Sequence, residues 1–136
     1  MTTFPVHIFA ADCMFYEGPC ESLVVPTSQG QYGVLANHSN MIAAIIPGML
    51  TYRLPGEEKQ VAAVSAGLIK VESGEVLILV DSAERPEEID ENRARRAADD
   101  AKEALLQKQS IQEYRAAQAN LARAINRLRV KRSYGK

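Results

Sequence analysis

One stretch divides this chain into two kinds of pattern. It runs from Ala83 to Ala98, AERPEEIDENRARRAA. Before it, apolar residues alternate as they do in strands. After it they recur as in helices, and no Gly or Pro occurs until Gly135. Pro86 marks the change, because proline lacks a backbone donor and biases the preceding residue toward extended geometry. Asp90 then reads as a helix N-cap, its carboxylate accepting from amides that have no intrahelical partner. The pattern predicts domains over 1–84 and 85–136.

Charge divides at the same place. Residues 1–84 carry three Lys/Arg against nine Asp/Glu, whereas residues 85–136 carry thirteen against eight. The last twenty-two residues, from Arg115, hold seven basic side chains and no acid. An acidic domain followed by a basic one predicts mutual docking or an anionic partner. The apolar runs are all shorter than the ~20 residues that span a bilayer, and no signal peptide is read at the start, so a cytosolic chain is expected. Cys13 and Cys20 match no metal or redox spacing and are expected to be reduced, semi-buried strand residues flanking a turn at Glu17-Gly18-Pro19.

In the first domain Val6, Ile8 and Ala10 begin a first strand. Cys13–Tyr16, Glu21–Val25 closed by Pro26, Tyr32–Leu35, Met41–Ile46, Met49–Leu54, Val61–Ser65, Leu68–Val71 and Val76–Val80 follow. Pro47-Gly48 and Pro55-Gly56 punctuate them. Turn signals every eight to twelve residues predict an antiparallel β-sandwich or barrel rather than parallel βαβ units. In the second domain Ala94, Ala97, Ala98, Ala101, Ala104 and Leu105 share one helical face. After a break near Gln109-Ser110, Ile111, Tyr114, Gln118, Leu121, Ile125 and Leu128 keep a spacing of three and four. An antiparallel two-helix hairpin is expected, giving an α+β chain overall. Alanine buries little area, so the hairpin should be marginal by itself.

Several segments carry a resemblance. Gly30-Gln31-Tyr32-Gly33-Val34-Leu35-Ala36-Asn37-His38 is similar to the GxxGxLxxH segment of the epsilon subunits of F-type ATP synthases. Pro47-Gly48 and the Val64–Val71 stretch fit their place in that family. Ile89-Asp90-Glu91-Asn92-Arg93-Ala94 resembles the I/L-D-x-x-R-A motif of its ATP-binding members. The likeness runs the length of the chain and in order. It implies a β-sandwich and helical hairpin in a non-catalytic rotor subunit. That subunit joins the gamma subunit to the c-ring for ATP synthesis, peripheral to the cytoplasmic face of the membrane. The hairpin would fold around ATP, or extend among the alpha and beta catalytic subunits as a brake on hydrolysis. ATP would be a regulatory ligand, not a cofactor.

The candidate residues can be weighed on their own chemistry. Gly30 and Gly33 lack the strand–loop–helix setting of a phosphate loop, and read as a turn needing positive φ. With His38, they form the loop that the resemblance turns toward the c-ring. His38 has no second ligand in view, so a loop contact is expected and no metal. Asp90 and Arg93 can be a cap and a solvated charge, or can address the polar edge and face of adenine, with Ala94 leaving room for the ring. Arg123 and Arg127 lie four apart on one face. Antiparallel register puts Arg93 level with position 126, so three arginines gather at one end, an arrangement suited to phosphate. This requires the Ala117–Ala124 edge to meet the first helix and the Leu121–Ile125–Leu128 stripe to pack on the sandwich. Glu84 and Ile89 join this ATP site by resemblance alone. No catalytic triad, metal cluster or Gly-rich phosphate loop suggests an enzyme. The alternative is a small nucleic-acid-binding or nucleotide-sensing protein. The basic stretch Arg127–Arg132 suggests nucleic acid, but lacks interleaved aromatics.

Overall fold

The computed structural model describes residues 2–107 and 110–134. They form ten strands: β1 (Phe4–Ala10), β2 (Cys13–Cys20), β3 (Ser22–Thr27), β4 (Gly30–Val34), β5 (Met41–Ile45), β6 (Gly48–Arg53), β7 (Lys59–Val64), β8 (Gly67–Glu72), β9 (Glu75–Val80) and β10 (Ala83–Glu84). A 3-10 turn at Pro86–Glu88 precedes two helices, α1 (Glu91–Leu106) and α2 (Ile111–Tyr134). Two compact units result, Met1–Glu84 and Arg85–Lys136.

In the first unit the strands hydrogen-bond in the order β10-β7-β6-β3-β5-β8-β9-β1-β2, with β4 on β3. Strand β3 joins two layers. Ser22–Val24 pair with β6, Thr27 pairs with β5, and β4 pairs with Leu23–Thr27. Alternation then decides what lies inside, since successive side chains point to opposite faces. Val6 and Ile8 of β1, Leu23 and Val25 of β3, Leu50 and Tyr52 of β6, Ile69 and Val71 of β8, and Val76 and Ile78 of β9 fill one buried core. Phe15 meets Tyr52 edge-on and Tyr16 stacks on it. This is the β-sandwich that the alternation predicted.

Three local expectations fail. The sheet is not wholly antiparallel, for β1 runs parallel to β9 from Val6↔Val76 to Ala10↔Val80. The expected turn at Glu17-Gly18-Pro19 lies inside β2, where Val6 faces Gly18 and Pro5 faces Pro19. An edge strand accommodates a proline because no neighbour requires its missing N–H. At Gly18 a Cβ would stand 2.6 Å from the Tyr16 hydroxyl, so a side chain there would displace the Tyr16 ring, whose hydroxyl donates to the Pro19 carbonyl at 2.8 Å. Thirdly, β3 continues through Pro26 to Thr27, and the Pro26 carbonyl accepts from Ile46 N. Neither cysteine forms a disulfide, but Cys13 is exposed and Cys20 is fully buried. Burial pushes the Cys20 thiol up to about 11.

In the second unit α1 and α2 pack antiparallel. The start of α1 meets the last turn of α2, where Glu91 pairs with Arg132 at 3.2 Å. The predicted chain reversal at Gln109-Ser110 falls partly outside the described residues. Ala94, Ala98 and Ala101 are buried on α1, and Ala117, Ala124, Asn126 and Val130 on α2. Of the predicted α1 face, Ala97 is exposed and Ala104 and Leu105 are half-buried. The longer stripe on α2 is mostly not the buried one. Ile111, Tyr114, Gln118 and Ile125 are exposed, and Leu121 and Leu128 are half-buried. Small residues win because two alanine faces allow helix axes to approach closely, whereas larger side chains would hold them apart.

Candidate functional site

Asp90 begins the local structure of the site. Its extended backbone (φ −87°, ψ 106°) and its carboxylate, which accepts from Arg93 N at 3.2 Å, cap α1 as the sequence suggests. Ile89 lies just before it, 3% exposed, with its amide donating to the Pro86 carbonyl at 3.2 Å. Ala94 is fully buried, one turn into the helix, and Arg93 beside it is exposed. The 3-10 turn sets this entry. Glu88 N donates to the Arg85 carbonyl, and the Glu88 carboxylate accepts from Arg85 N at 2.9 Å.

A groove of ≈ 590 Å³ lies between α1 and α2. Its floor is alanine: Ala101 from α1 and Ala117 and Ala124 from α2. Arg123 and Arg127 both line it, so their spacing of four does place them together. Asp90, Arg93 and Ala94 are not among its lining residues. The groove also carries Asp100, Glu113 and Asn120, none of which the sequence singled out. Asn120 Oδ1 lies 3.5 Å from Arg123 Nη1. Small side chains facing each other leave the space, and long polar ones at its rim give it charge. Antiparallel register could have placed Asp100 opposite the Asn120 region.

Glu84 belongs to the other unit, half-buried in β10, where it pairs with Ala63 of β7. Gly30, Gly33 and His38 also lie in the first unit. Gly30 has φ +108° and completes the β3–β4 turn, in which the Thr27 hydroxyl donates to its carbonyl at 2.7 Å. Gly33 does not have positive φ. It is a mid-strand residue of β4 opposite Val24, with open space where a Cβ would be. The left-handed residue further along is Asn37, φ 64°. His38 sits in that loop as expected, its ring packed edge-on to Tyr32 and its Nδ1 2.7 Å from the Ser39 carbonyl. Among the described residues no group of three His, Cys, Asp or Glu could hold a metal, and no helix is long and apolar enough to cross a membrane.

Fold and site together define a two-unit architecture, a β-sandwich followed by a helical hairpin with an alanine-floored groove that carries both acids and arginines. Residues 3–86 match the family described as ATP synthase, Delta/Epsilon chain, beta-sandwich domain, and residues 87–132 match its long alpha-helix domain. The chain belongs to the ATP synthase delta/epsilon family. It is 41% identical to the ATP synthase epsilon chain of Caldanaerobacter subterraneus subsp. tengcongensis, over 97% of this chain and 96% of that one. It is 39% identical to that of Ruminiclostridium cellulolyticum, over 94% and 95%. A chain of the Euglena gracilis mitochondrial ATP synthase shares the fold with a TM-score of 0.76 at 23% identity, over 90% of this chain and 77% of that one.

Proposed function

We propose that this chain is a non-catalytic rotor subunit of an F-type ATP synthase, peripheral to the cytoplasmic face of the membrane. The observation that carries the proposal is the pair of family matches, sandwich then long helix, in register with the two units. One similar structure is of a Tetrahymena thermophila central stalk with c-ring, which supports the fold assignment (TM-score 0.65, 15% identity). The sandwich would grip the gamma subunit, and its Gly30–His38 loop would face the c-ring. A fragment of residues 1–84 is expected to bind gamma in a pull-down and restore coupling; no binding would refute the assignment.

The hairpin would be the regulatory part. ATP would bind the folded hairpin through Ile89, Asp90, Arg93, Ala94, Arg123 and Arg127. Two features support this: the capped start of α1, and Arg123 and Arg127 sharing one groove. Guanidinium groups suit the phosphates because each offers planar paired donors. An extended chain would separate the α1 residues from the α2 residues, so ATP would favour the folded form. At one hundred times its dissociation constant a ligand contributes about 2.7 kcal/mol, enough to reverse a balance of that size. Isothermal titration with ATP is expected to show binding that Arg93→Ala and Arg127→Ala each weaken. No heat at millimolar ATP, or unchanged binding in both variants, would overturn the site.

A further inference from the structure

The last turn of α2 contacts the entry to α1 at two points that straddle Ile89-Asp90. Lys131 Nζ donates to the Pro86 carbonyl at 3.1 Å. That carbonyl also accepts from the Ile89 amide, so Lys131 acts one hydrogen bond away from Ile89. On the other side, Arg132 Nε donates to Glu91 Oε1 at 3.2 Å. Glu91 is the first residue of the helix that Asp90 caps. The same carboxylate oxygen accepts from Arg95 Nη2 at 3.1 Å. The Arg95 contact lies within α1 and survives any separation of the helices. The Lys131 and Arg132 contacts require the hairpin to be closed. Between them Val130 is 1% exposed and Pro86 is buried, so the closing turn is anchored by packing as well as charge.

We propose that Lys131 and Arg132 are positioning residues: closing the hairpin clamps the Pro86–Glu91 entry and holds Ile89 and Asp90 in the geometry that receives nucleotide. The nucleotide part rests on the ATP reading above. The clamp itself rests on the two contacts. Glu91 and Arg132 are partly exposed, so their pair alone is a modest term. Its effect is enlarged by position, because it ties the first residue of α1 to the last turn of α2.

The test uses the full chain with nitroxide labels at Asp99→Cys and Ala122→Cys, both exposed positions, in a Cys13→Ser background. Cys20 is buried and does not take the label. Closed, the two sites sit on packed helices with axes about 8–10 Å apart. On one extended rod they would be about 35 Å apart at 1.5 Å per residue. Electron–electron distance measurement without nucleotide is expected to show a short population that Lys131→Met, Arg132→Gln and Glu91→Gln each shift toward the long one. The Glu91→Gln/Arg132→Gln double variant should shift no further than either single. Titration should give ATP affinity weakened about two- to fivefold in Arg132→Gln and Lys131→Met. Arg132→Lys and Lys131→Arg should restore both readouts. Distance distributions unchanged in all three single variants overturn the clamp, as does failure of both rescues. Shifted distances with unchanged ATP affinity overturn the positioning role. If the parent chain binds no ATP while the distances shift as stated, the clamp stands and the nucleotide reading falls.

Discussion

Gly67 begins β8 against the Leu79–Val80 backbone of β9, and no side chain fits there. A Cβ would lie 1.9 Å from the Leu79 carbonyl oxygen and 2.7 Å from Val80 Cα. Backbone cannot swing aside, so Gly67→Ala is expected to cost about 1–3 kcal/mol in urea unfolding. Gly33→Ala, with nothing within 4 Å, should stay within about 0.5 kcal/mol of the parent. Cys20 makes a second residue-scale case. Its thiol is pushed up from 9.0 to about 11 by burial. The unfolded thiol ionises first, so above pH 9 the unfolded state binds fewer protons and stability falls with rising pH toward 11. Denaturant midpoints from pH 8 to 10 should therefore decline more in the parent than in Cys20→Val. A thiol reagent at neutral pH should modify Cys13 and spare Cys20 until the chain unfolds.

Among the elements, α1 depends on its first turn. Asp90→Ala removes the acceptor for Arg93 N and should cost about 1 kcal/mol, seen as faster hydrogen exchange at the start of α1. Asp90→Asn keeps an oxygen acceptor but not the charge. It should retain the helix and, on the nucleotide reading, still weaken ATP binding; ATP binding lost in Asp90→Ala but unchanged in Asp90→Asn would make Asp90 a cap and nothing more. Helix α2 shows why spacing can mislead about packing. The residues from Ile111 to Leu128 keep a near-heptad repeat, yet the burial falls on Ala117 and Ala124. Periodicity identifies an apolar face. Which face meets the neighbour depends on the shape of the neighbour, and α1 offers only alanine.

On the scale of the whole molecule, the core cluster of the sandwich draws every member from residues 4–83. Residues 1–84 alone should therefore unfold in one cooperative thermal transition; a molten, dye-binding fragment would refute this. In the assembled complex the hairpin is expected to act as a brake when extended, since Asp90–Arg132 as one helix would reach about 65 Å. Deletion of residues 110–136 should raise ATP hydrolysis by the complex, and unchanged hydrolysis at low and high ATP would remove the tail from that role.

Read by itself, the sequence determined the strand-rich first unit, the two helices, the cap at Asp90 and the pairing of Arg123 with Arg127. These are local properties: alternation, a spacing of four, and a side chain that meets its own backbone. Only the tertiary structure decided that Gly18-Pro19 stays within an edge strand, that β1 runs parallel to β9, and that Asp100 and Glu113 share the groove with the arginines. It alone brought Lys131 and Arg132 to the entry of α1, some forty residues earlier in the chain. Those outcomes depend on what lies across the contact. A proline is tolerated when a strand flanks it on one side only, and alanine is the buried face when the opposing helix is alanine too.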